Sequence, residues 1–300
     1  MQERKLAFLS GVVVAGLLVA CSGEPLPSGL LESPKIAGAT ATLPSYQVDA
    51  YVTSRDEALG LPSMAWLQLQ RGSVVGLSPE VVAQATLRAL AGPYHLTEAA
   101  LALVTTQPLH DVGQGPRIVK FAQQQDGIEV FARSLRLAVG SEGLPLLASG
   151  NLATAVEPVT RVFALSEQAA TAAALQAVTK GQATVTGVQR TGTAVGAYSL
   201  LAVTAQPHES ADPQAAEQRY LLLGPARSKR VYFPTTLGLL PAYYIELSVG
   251  RSDSVDALQQ AVVVSAVDGA LLFQKDLTES DVYTYRVWAD ASGFQPWDGP

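Results

Sequence analysis

The chain has 300 residues, of which 48% are hydrophobic and 15% are charged. This composition excludes an intrinsically disordered chain, and the length suffices for one or two folded domains. Lys and Arg number 20 against 26 Asp and Glu, a net charge of −6 without a visible basic cluster, so no nucleic-acid partner is expected. One cysteine and three histidines exclude a disulfide scaffold and a zinc finger.

The N-terminus has the pattern of a secretory signal peptide over residues 1–20. Arg4 and Lys5 precede an almost entirely apolar run that ends directly before Cys21. The run is short for a membrane-spanning helix, which needs about 20 residues. Its last residues, LVAC, resemble a bacterial lipobox, which predicts cleavage between Ala20 and Cys21 and lipidation of the Cys21 thiol. The alternative is an ordinary signal peptide with a cysteine near its end.

Lipidation predicts an extracytoplasmic protein anchored in a membrane, because several acyl chains on one N-terminus hold it stably at a bilayer. Ser22 rather than Asp follows the cysteine, which favours the outer membrane or cell surface, with secretion after processing as an alternative. Residues 21–45 are rich in Pro, Gly and Ser and predict a flexible tether. Residues 46–77 are an uncertain extended segment with a strand-like run at 65–69.

A helix followed by antiparallel strands is predicted for residues 78–152. Ser78 as N-cap and Pro at the first helical position predict a helix over 79–91 that buries Val82, Leu87 and Leu90. Thr97 caps a second short helix over 98–104. Strands then follow at 117–124, 128–139 and 144–148, with a hairpin turn at Asp126-Gly127.

The same order of elements recurs in residues 153–290. Ser166 caps an alanine-rich helix over 167–178, and several strands follow, with a second turn at Asp268-Gly269. These strands are predicted at 183–189, 198–204, 219–223, 229–233, 242–249, 260–267 and 270–275. The predicted fold class is therefore α+β, with two helix-plus-antiparallel-sheet units after the signal peptide and tether.

Three stretches of the first unit resemble the FTP motif, which occurs in the propeptides of fungalysin and thermolysin metallopeptidases. They are RIVKFAQQ at 117–124, DGIEVF at 126–131 and LASGNL at 147–152. The chain departs from the family pattern in having Ala132-Arg133 after the Phe. It departs again at the next turn, where Ser141-Glu142-Gly143 stands for the usual Asp-Gly pair.

The second unit is similar to the PepSY-like region that follows in those propeptides. The similar stretches are RVYFPT at 230–235, LLPAYY at 239–244, VDGALL at 267–272 and YTYRVWAD at 283–290. The resemblance implies the prodomain of a bacterial fungalysin-type (M36) zinc metallopeptidase. Such a prodomain assists folding of the catalytic domain and inhibits it, and residues 291–300 would lead towards that domain.

No catalytic centre is expected in this chain. Zinc peptidases of these families need H-E-x-x-H on a helix, and the histidines His95, His110 and His208 do not form that motif. We therefore expect no enzyme activity, no metal and no cofactor. His110-Asp111 and the acids Asp253 and Asp256 are interpreted as loop residues. The remaining conspicuous side chains are interpreted as turn residues (Asp126, Asp268) and as sheet core and rim (Tyr232, Phe233, Tyr243, Tyr244).

The expected partner is a metallopeptidase catalytic domain, in cis if the reading frame continues and otherwise in trans. The end of the chain just after YRVWAD favours a truncated or partial precursor. The predicted protease-facing residues lie in 283–300, where the alternative is a last core strand: Tyr285, Arg286, Trp288, Phe294 and Trp297. Two other functions stay open, a free-standing envelope lipoprotein that inhibits proteases in trans and a non-catalytic envelope scaffold.

Overall fold

The computed structural model describes residues 47–57, 59–111, 113, 115–207, 220–251 and 257–278. The predicted signal peptide, the whole predicted tether, the loop with His208 and the segment 283–300 lie outside these residues. Three helices occur in the described part: α1 (Pro79–Ala89), α2 (Glu98–Ala102) and α3 (Glu167–Val178). None of them is long and apolar enough to cross a membrane.

The helices begin where the sequence predicts. The hydroxyl oxygens of Ser78, Thr97 and Ser166 accept hydrogen bonds from the third residue beyond each cap, at 3.4, 3.1 and 3.1 Å. These contacts satisfy backbone N–H groups that the first helical turn leaves without partners. Val82, Leu87 and Leu90 are buried as predicted. Helix α2 ends before the predicted residue 104, because Val104 and its neighbours instead pair with a strand.

Thirteen strands occur in the described residues, and all of them belong to one sheet. Their bounds are β1 Gln47–Arg55, β2 Pro62–Arg71, β3 Val104–Thr106, β4 Arg117–Gln125, β5 Ile128–Val139, β6 Pro145–Asn151, β7 Ala183–Val195, β8 Tyr198–Pro207, β9 Tyr220–Leu222, β10 Ala226–Thr235, β11 Gly238–Arg251, β12 Ala257–Ser265 and β13 Leu271–Asp276. The main path runs β1-β2-β6-β5-β10-β11-β12-β13. Strands β3 and β4 continue beside β5, whereas β7, β8 and β9 attach to β10 and β11.

The predicted α+β class with two helix-plus-sheet units is wrong. The described chain is 54% strand and 14% helix, and its strands form a single sheet that curls into a half-barrel. The cause is a pairing that local sequence patterns do not reveal. Strand β5 of the first predicted unit runs parallel to β10 of the second, with Val130 opposite Tyr232. The short helices cover only part of one sheet face, so the strands dominate the fold.

The inner face of the sheet carries two hydrophobic cores. The first lies under α1 and includes Phe121, Leu135 and Leu137, together with Tyr232 from β10. The second lies under α3 and includes Leu175 and Ile245. Because Tyr232 comes from the second half of the chain, the first core is complete only when both halves are folded. Tyr232 and Tyr243 are buried, which confirms the prediction that this aromatic series belongs to the sheet.

Strand β5 contains a bulge that positions its side chains. Ala122 pairs with Ser134 and Gln124 with Glu129, so residues 130–133 lie opposite the single residue Gln123. Within the bulge, Ala132 has a φ of 53°, a left-handed conformation that is unusual for alanine. Val130 therefore points into the first core, whereas Phe131 packs on the opposite, outer face with Phe233 and Tyr244.

The two Asp-Gly turns lie where the sequence predicts them. Asp126 and Gly127 both have positive φ, 53° and 77°, as a two-residue hairpin turn requires. At the second turn, the carboxylate of Asp268 accepts a hydrogen bond from the Ala270 N–H at 3.2 Å. Hydrogen bonds from the Ser265 hydroxyl and from Ala270 lower the pKa of Asp268. Both aspartates therefore have a role in turn geometry.

Candidate functional site

The site residues predicted from the sequence lie outside the residues that the structure describes. This applies to the cleavage and lipidation pair Ala20 and Cys21, and to the proposed protease-facing residues Tyr285, Arg286, Trp288, Phe294 and Trp297. Their roles therefore stay predictions.

The described histidines lie in connections between elements. His95 follows α1 with a φ of 53°, and His110 forms backbone hydrogen bonds with Ile118. In the described ranges, no group of three or more His, Cys, Asp or Glu side chains is placed to hold a metal ion.

Gln123, from the FTP-like motif, has a structural role at the centre of the first core. Its side chain is fully buried, and its Nε2 donates to the carbonyl oxygens of Ala100 and Ala153 at 3.1 and 3.0 Å. Its Oε1 accepts from the Ala153 N–H at 2.6 Å. One amide therefore links α2, β4 and the segment after β6, and it satisfies backbone groups that burial would otherwise leave without partners.

Gly150 and Asn151, from the SGNL stretch, also have structural roles. Gly150 has a φ of 94°, and a Cβ at this position would lie 2.2 Å from the Ser134 carbonyl oxygen of β5. Only glycine permits this close approach of β6 to β5. For this reason SGN belongs to strand β6, although the sequence predicts that the strand ends before it. Asn151 accepts a hydrogen bond from Arg133 Nη1 at 2.6 Å.

The outer face of the first half of the sheet (strands β1–β6) carries a row of apolar side chains that crosses five strands. Its members are directly paired across the strands β1, β2, β6, β5 and β4, in that order: Tyr51, Trp66, Leu147, Ala138 and Ile118. Tyr51 and Trp66 are 57% and 54% exposed. We call this set the outer apolar row. Tyr and Trp are the side chains most enriched among the residues that dominate protein interfaces, so the row is a candidate binding surface.

Two cations lie next to the outer apolar row. Lys120 of β4 is directly opposite Arg136 of β5, and both side chains are exposed. Neither has an ion-pair partner among the described residues. Like charges directly opposite each other in a sheet are unfavourable. This surface therefore suits a partner that presents apolar groups next to carboxylates.

The outer face of the second half (strands β7–β13) is closed by its own side chains together with Phe131 and Glu129 of β5. The Phe131 ring contacts Phe233, Tyr244 and Phe273 with centroid distances of 5.9, 5.6 and 5.2 Å. Lys229 Nζ lies 2.6 Å from Glu129 Oε2 and 5.1 Å from the centre of the Tyr198 ring. A groove of about 340 Å³ remains between these groups. The aromatic rings cover one another here, unlike those of the outer apolar row.

The electrostatics of this second face agree with a paired structural cluster. Burial alone would lower the pKa of Lys229, but its hydrogen bond and attraction to Glu129 outweigh this effect and raise the pKa. Burial, with the Glu246 carboxylate nearby, raises the pKa of Tyr244. Lys229 therefore stays charged and Tyr244 stays neutral, which are the forms that the cluster stabilises.

The sequence analysis missed the outer apolar row because it left residues 46–77 uncertain. A usable signal was present in the alternation of side chains in these strands. In β1, Val48, Ala50 and Val52 are the more buried side chains, and Tyr51 lies between them on the other face. In β2, Ala65 and Leu67 are buried and flank the exposed Trp66. The signal was a large aromatic side chain at an outward-facing position of a strand in which buried and exposed side chains alternate.

No family model matches the chain, and no curated protein matches it. Among solved structures, the chain is similar to the Bacillus megaterium YpeB C-terminal domain, with 9% sequence identity and a TM-score of 0.25. The similarity covers 78% of this chain and 90% of that domain. A TM-score this low carries no argument about function, so the FTP and PepSY resemblance rests on the sequence motifs.

Proposed function

We propose that the chain is a binding protein that acts as a propeptide-type inhibitor and folding assistant of a fungalysin- or thermolysin-like zinc metallopeptidase. The observation that carries the binding role is the outer apolar row, with the exposed rings of Tyr51 and Trp66. The choice of a metallopeptidase as partner comes from the FTP-like and PepSY-like stretches of the sequence.

The chemistry of the surface supports tight association with a protein. Burying Trp66 and Tyr51 against a partner would remove two large, rigid aromatic groups from water at little cost in conformational entropy. Lys120 and Arg136 would gain the opposite charges that they lack among their described neighbours, which favours a partner with carboxylates beside an apolar patch.

The strand order supports the second part of the proposal, assistance in folding. The main path of the sheet ends at β1, which carries Tyr51, and at β13. An extended segment of an incompletely folded enzyme can add to such an edge through main-chain hydrogen bonds, while its side chains contact the neighbouring face. The edge at β1 lies beside the outer apolar row, so both modes of contact would act together.

The proposal places the chain outside the cytoplasm on a lipid anchor at Cys21. It would then inhibit a catalytic domain of the same precursor in cis or a separate enzyme in trans. Labelling of cells with a radioactive fatty acid tests the anchor: the unmodified chain should take up the label, whereas the Cys21→Ser variant, which has no thiol to acylate, should not. Equal labelling of the two chains, or no label on the unmodified chain, would contradict lipidation at Cys21.

Inhibition is tested by adding the purified chain to a thermolysin-like and a fungalysin-like peptidase and measuring the inhibition constant. We expect inhibition of at least one of them. Trp66→Ser should raise the inhibition constant by about tenfold or more, because loss of a central aromatic contact costs more than about 1 kcal/mol. The matched control is Val75→Ser, because Val75 is also apolar and exposed but lies in a loop outside the row.

Charge and folding assistance are measured with the same reagents. Replacing Lys120 and Arg136 by Gln should slow association and reduce its dependence on salt. The chain should also raise the yield of active enzyme after refolding from denaturant. Failure to inhibit any such peptidase, or equal inhibition by the Trp66→Ser variant and the unmodified chain, would exclude the proposed use of this surface.

A further inference from the structure

A cavity of about 380 Å³ lies beside the junction of β5 and β10, away from the outer apolar row. Four segments meet there: the loop between β1 and β2, the bulge of β5, the residues after β6 and the turn between β10 and β11. Its walls are largely aliphatic, with Leu61, Leu152 and Pro234 as examples, and Thr154 and Thr235 also line it. The volume lies in the range of small-ligand sites.

Arg133 is the cation among the described residues that line this cavity, and most of its N–H groups make no hydrogen bond to a described residue. Its Nη1 donates to Asn151 Oδ1 at 2.6 Å. Its Nε is buried and finds no acceptor in the described part of the chain. Its Nη2 makes no hydrogen bond to any described residue. Because Nη2 is also not among the buried polar atoms that lack a partner, it is accessible from the cavity. A guanidinium carries five N–H donors, so the cavity presents an accessible donor that the described residues do not satisfy.

An acidic side chain near the cavity reduces its attraction for an anionic ligand. Asn151 Nδ2 lies 3.4 Å from Asp56 Oδ2, so Asn151 bridges Arg133 and Asp56. Burial lowers the pKa of the Arg133 guanidinium, and attraction to Asp56 opposes this effect. Asp56 does not line the cavity, but it lies close enough to Arg133 to offset part of the positive charge there. A carboxylate ligand would meet the repulsion of Asp56, whereas an uncharged carbonyl oxygen would accept from Nη2 without it.

The backbone that carries Arg133 is held in an unusual conformation. Ala132 has a φ of 53°, which costs an alanine conformational energy, and it directly precedes Arg133 in the bulge of β5. Such conformations persist where the surrounding structure holds them and often occur at ligand sites. Ala132-Arg133 is also the point at which the sequence departs from the FTP pattern, so the resemblance does not account for this pair.

We infer that this cavity is a binding site for an uncharged peptide-like ligand. Its aliphatic side chain, of about leucine size, would occupy the apolar walls, and its main-chain carbonyl oxygen would accept a hydrogen bond from Arg133 Nη2. The site differs in place and chemistry from the outer apolar row. It does not depend on the proposed inhibition of a peptidase.

The probe for this site is N-acetyl-leucine methylamide, titrated into the isotopically labelled full chain and followed by NMR. The expected result is saturable shifts of signals from Leu61, Leu152 and Thr154, with a dissociation constant of about 1 mM. Arg133→Met should weaken binding by about tenfold, because it removes the charged donor. The control Arg71→Met replaces an exposed arginine at the end of β2, and its affinity should match that of the unmodified chain.

A second variant keeps the test independent of the folding of Arg133→Met. Ala155→Phe fills the cavity from the segment after β6 and should abolish the shifts while leaving Arg133 in place. The charged analogue N-acetyl-leucine should bind more weakly than the amide because of Asp56. Absence of shifts up to the solubility limit of the amide, equal binding by Arg133→Met, or tighter binding of the acid would each overturn the inference.

Discussion

The two halves of the sheet differ in how they use their two faces. In both halves a helix covers the inner face, α1 over the first core and α3 over the second. On the outer face, the first half leaves Tyr51 and Trp66 exposed beside two cations that have no ion-pair partner among the described residues. The outer face of the second half is covered by packed rings and ion pairs, which include Phe131 and Glu129 of β5. The difference indicates that the first half is the one available for a partner.

The interiors of the two halves also differ. The first core depends on polar and backbone contacts at its centre, the Gln123 amide and the close approach at Gly150. The second core is built from aliphatic packing under α3, and its Tyr243 hydroxyl donates to the Leu165 carbonyl at 3.1 Å. We therefore expect substitutions of buried amides to have larger effects in the first half, whereas Gly238 of β11 approaches a backbone oxygen as closely as Gly150 does.

The largest effects are expected at Gly150 and at Gly238, where a Cβ would lie 2.2 Å from a backbone oxygen in each case. Gly150→Ala should lower the free energy of unfolding by about 3–5 kcal/mol, because the new Cβ meets a backbone oxygen and the φ is left-handed. Gly250→Ala, in β11 of the second half, should cost no more than about 1 kcal/mol, since its Cβ would meet only the flexible side chain of Leu223. Urea unfolding followed by circular dichroism measures both.

Gly127→Ala provides the control for backbone conformation alone. Gly127 has a φ of 77° and no atom near its hypothetical Cβ, so the expected cost is about 1–2 kcal/mol. A cost at Gly150 no larger than that at Gly127 would contradict the close approach of β6 to β5.

An intermediate effect is expected for the buried amides. Gln123→Leu should cost about 3 kcal/mol, because it leaves three buried backbone groups without partners. In the second half, Gln260→Leu should cost about 1 kcal/mol, because its contact with Gln274 at 3.0 Å lies nearer to solvent. Equal urea midpoints of the two variants would contradict the expected difference between the two halves.

The smallest effect at neutral pH is expected for two buried tyrosines. The Tyr94 hydroxyl is buried and has no hydrogen-bond partner among the described residues, so Tyr94→Phe should leave stability unchanged or raise it by up to about 1 kcal/mol. Tyr243→Phe should lower stability by about 1 kcal/mol, because it removes the hydrogen bond to Leu165. Thermal unfolding of the two variants gives the comparison, and a loss of stability in Tyr94→Phe would indicate a partner for the hydroxyl.

At alkaline pH, the difference in stability between the unmodified chain and the Tyr94→Phe variant becomes larger. Burial raises the pKa of Tyr94 to about 12 from a usual value near 10. The stability that this raised pKa contributes is complete below pH 10 and is lost between pH 10 and 12, at about 1.4 kcal/mol per pH unit. Relative to Tyr94→Phe, the unmodified chain should lose stability over this interval. Parallel stability curves for the two proteins would show that Tyr94 ionises normally when folded.

Much of the local structure was predictable from residue patterns. Ser78, Thr97 and Ser166 cap helices as predicted, and the Asp-Gly pairs form turns. These features depend on contacts within a few residues, such as a hydroxyl with a nearby N–H. The β1–β2 hairpin was not predicted, although its alternating pattern was visible, because the sequence analysis assigned no strand before 65 and no partner for it.

The sequence by itself determined the helix starts, the turns, most strands and the absence of an H-E-x-x-H motif, because each is a property of neighbouring residues. Only the tertiary structure decided that the strands form one sheet, through the pairing of Val130 with Tyr232. It also decided that Tyr51 and Trp66 form an exposed pair and that Arg133 lines a cavity. These features join residues far apart in the chain, and their positions follow from strand pairing and packing over the whole sheet.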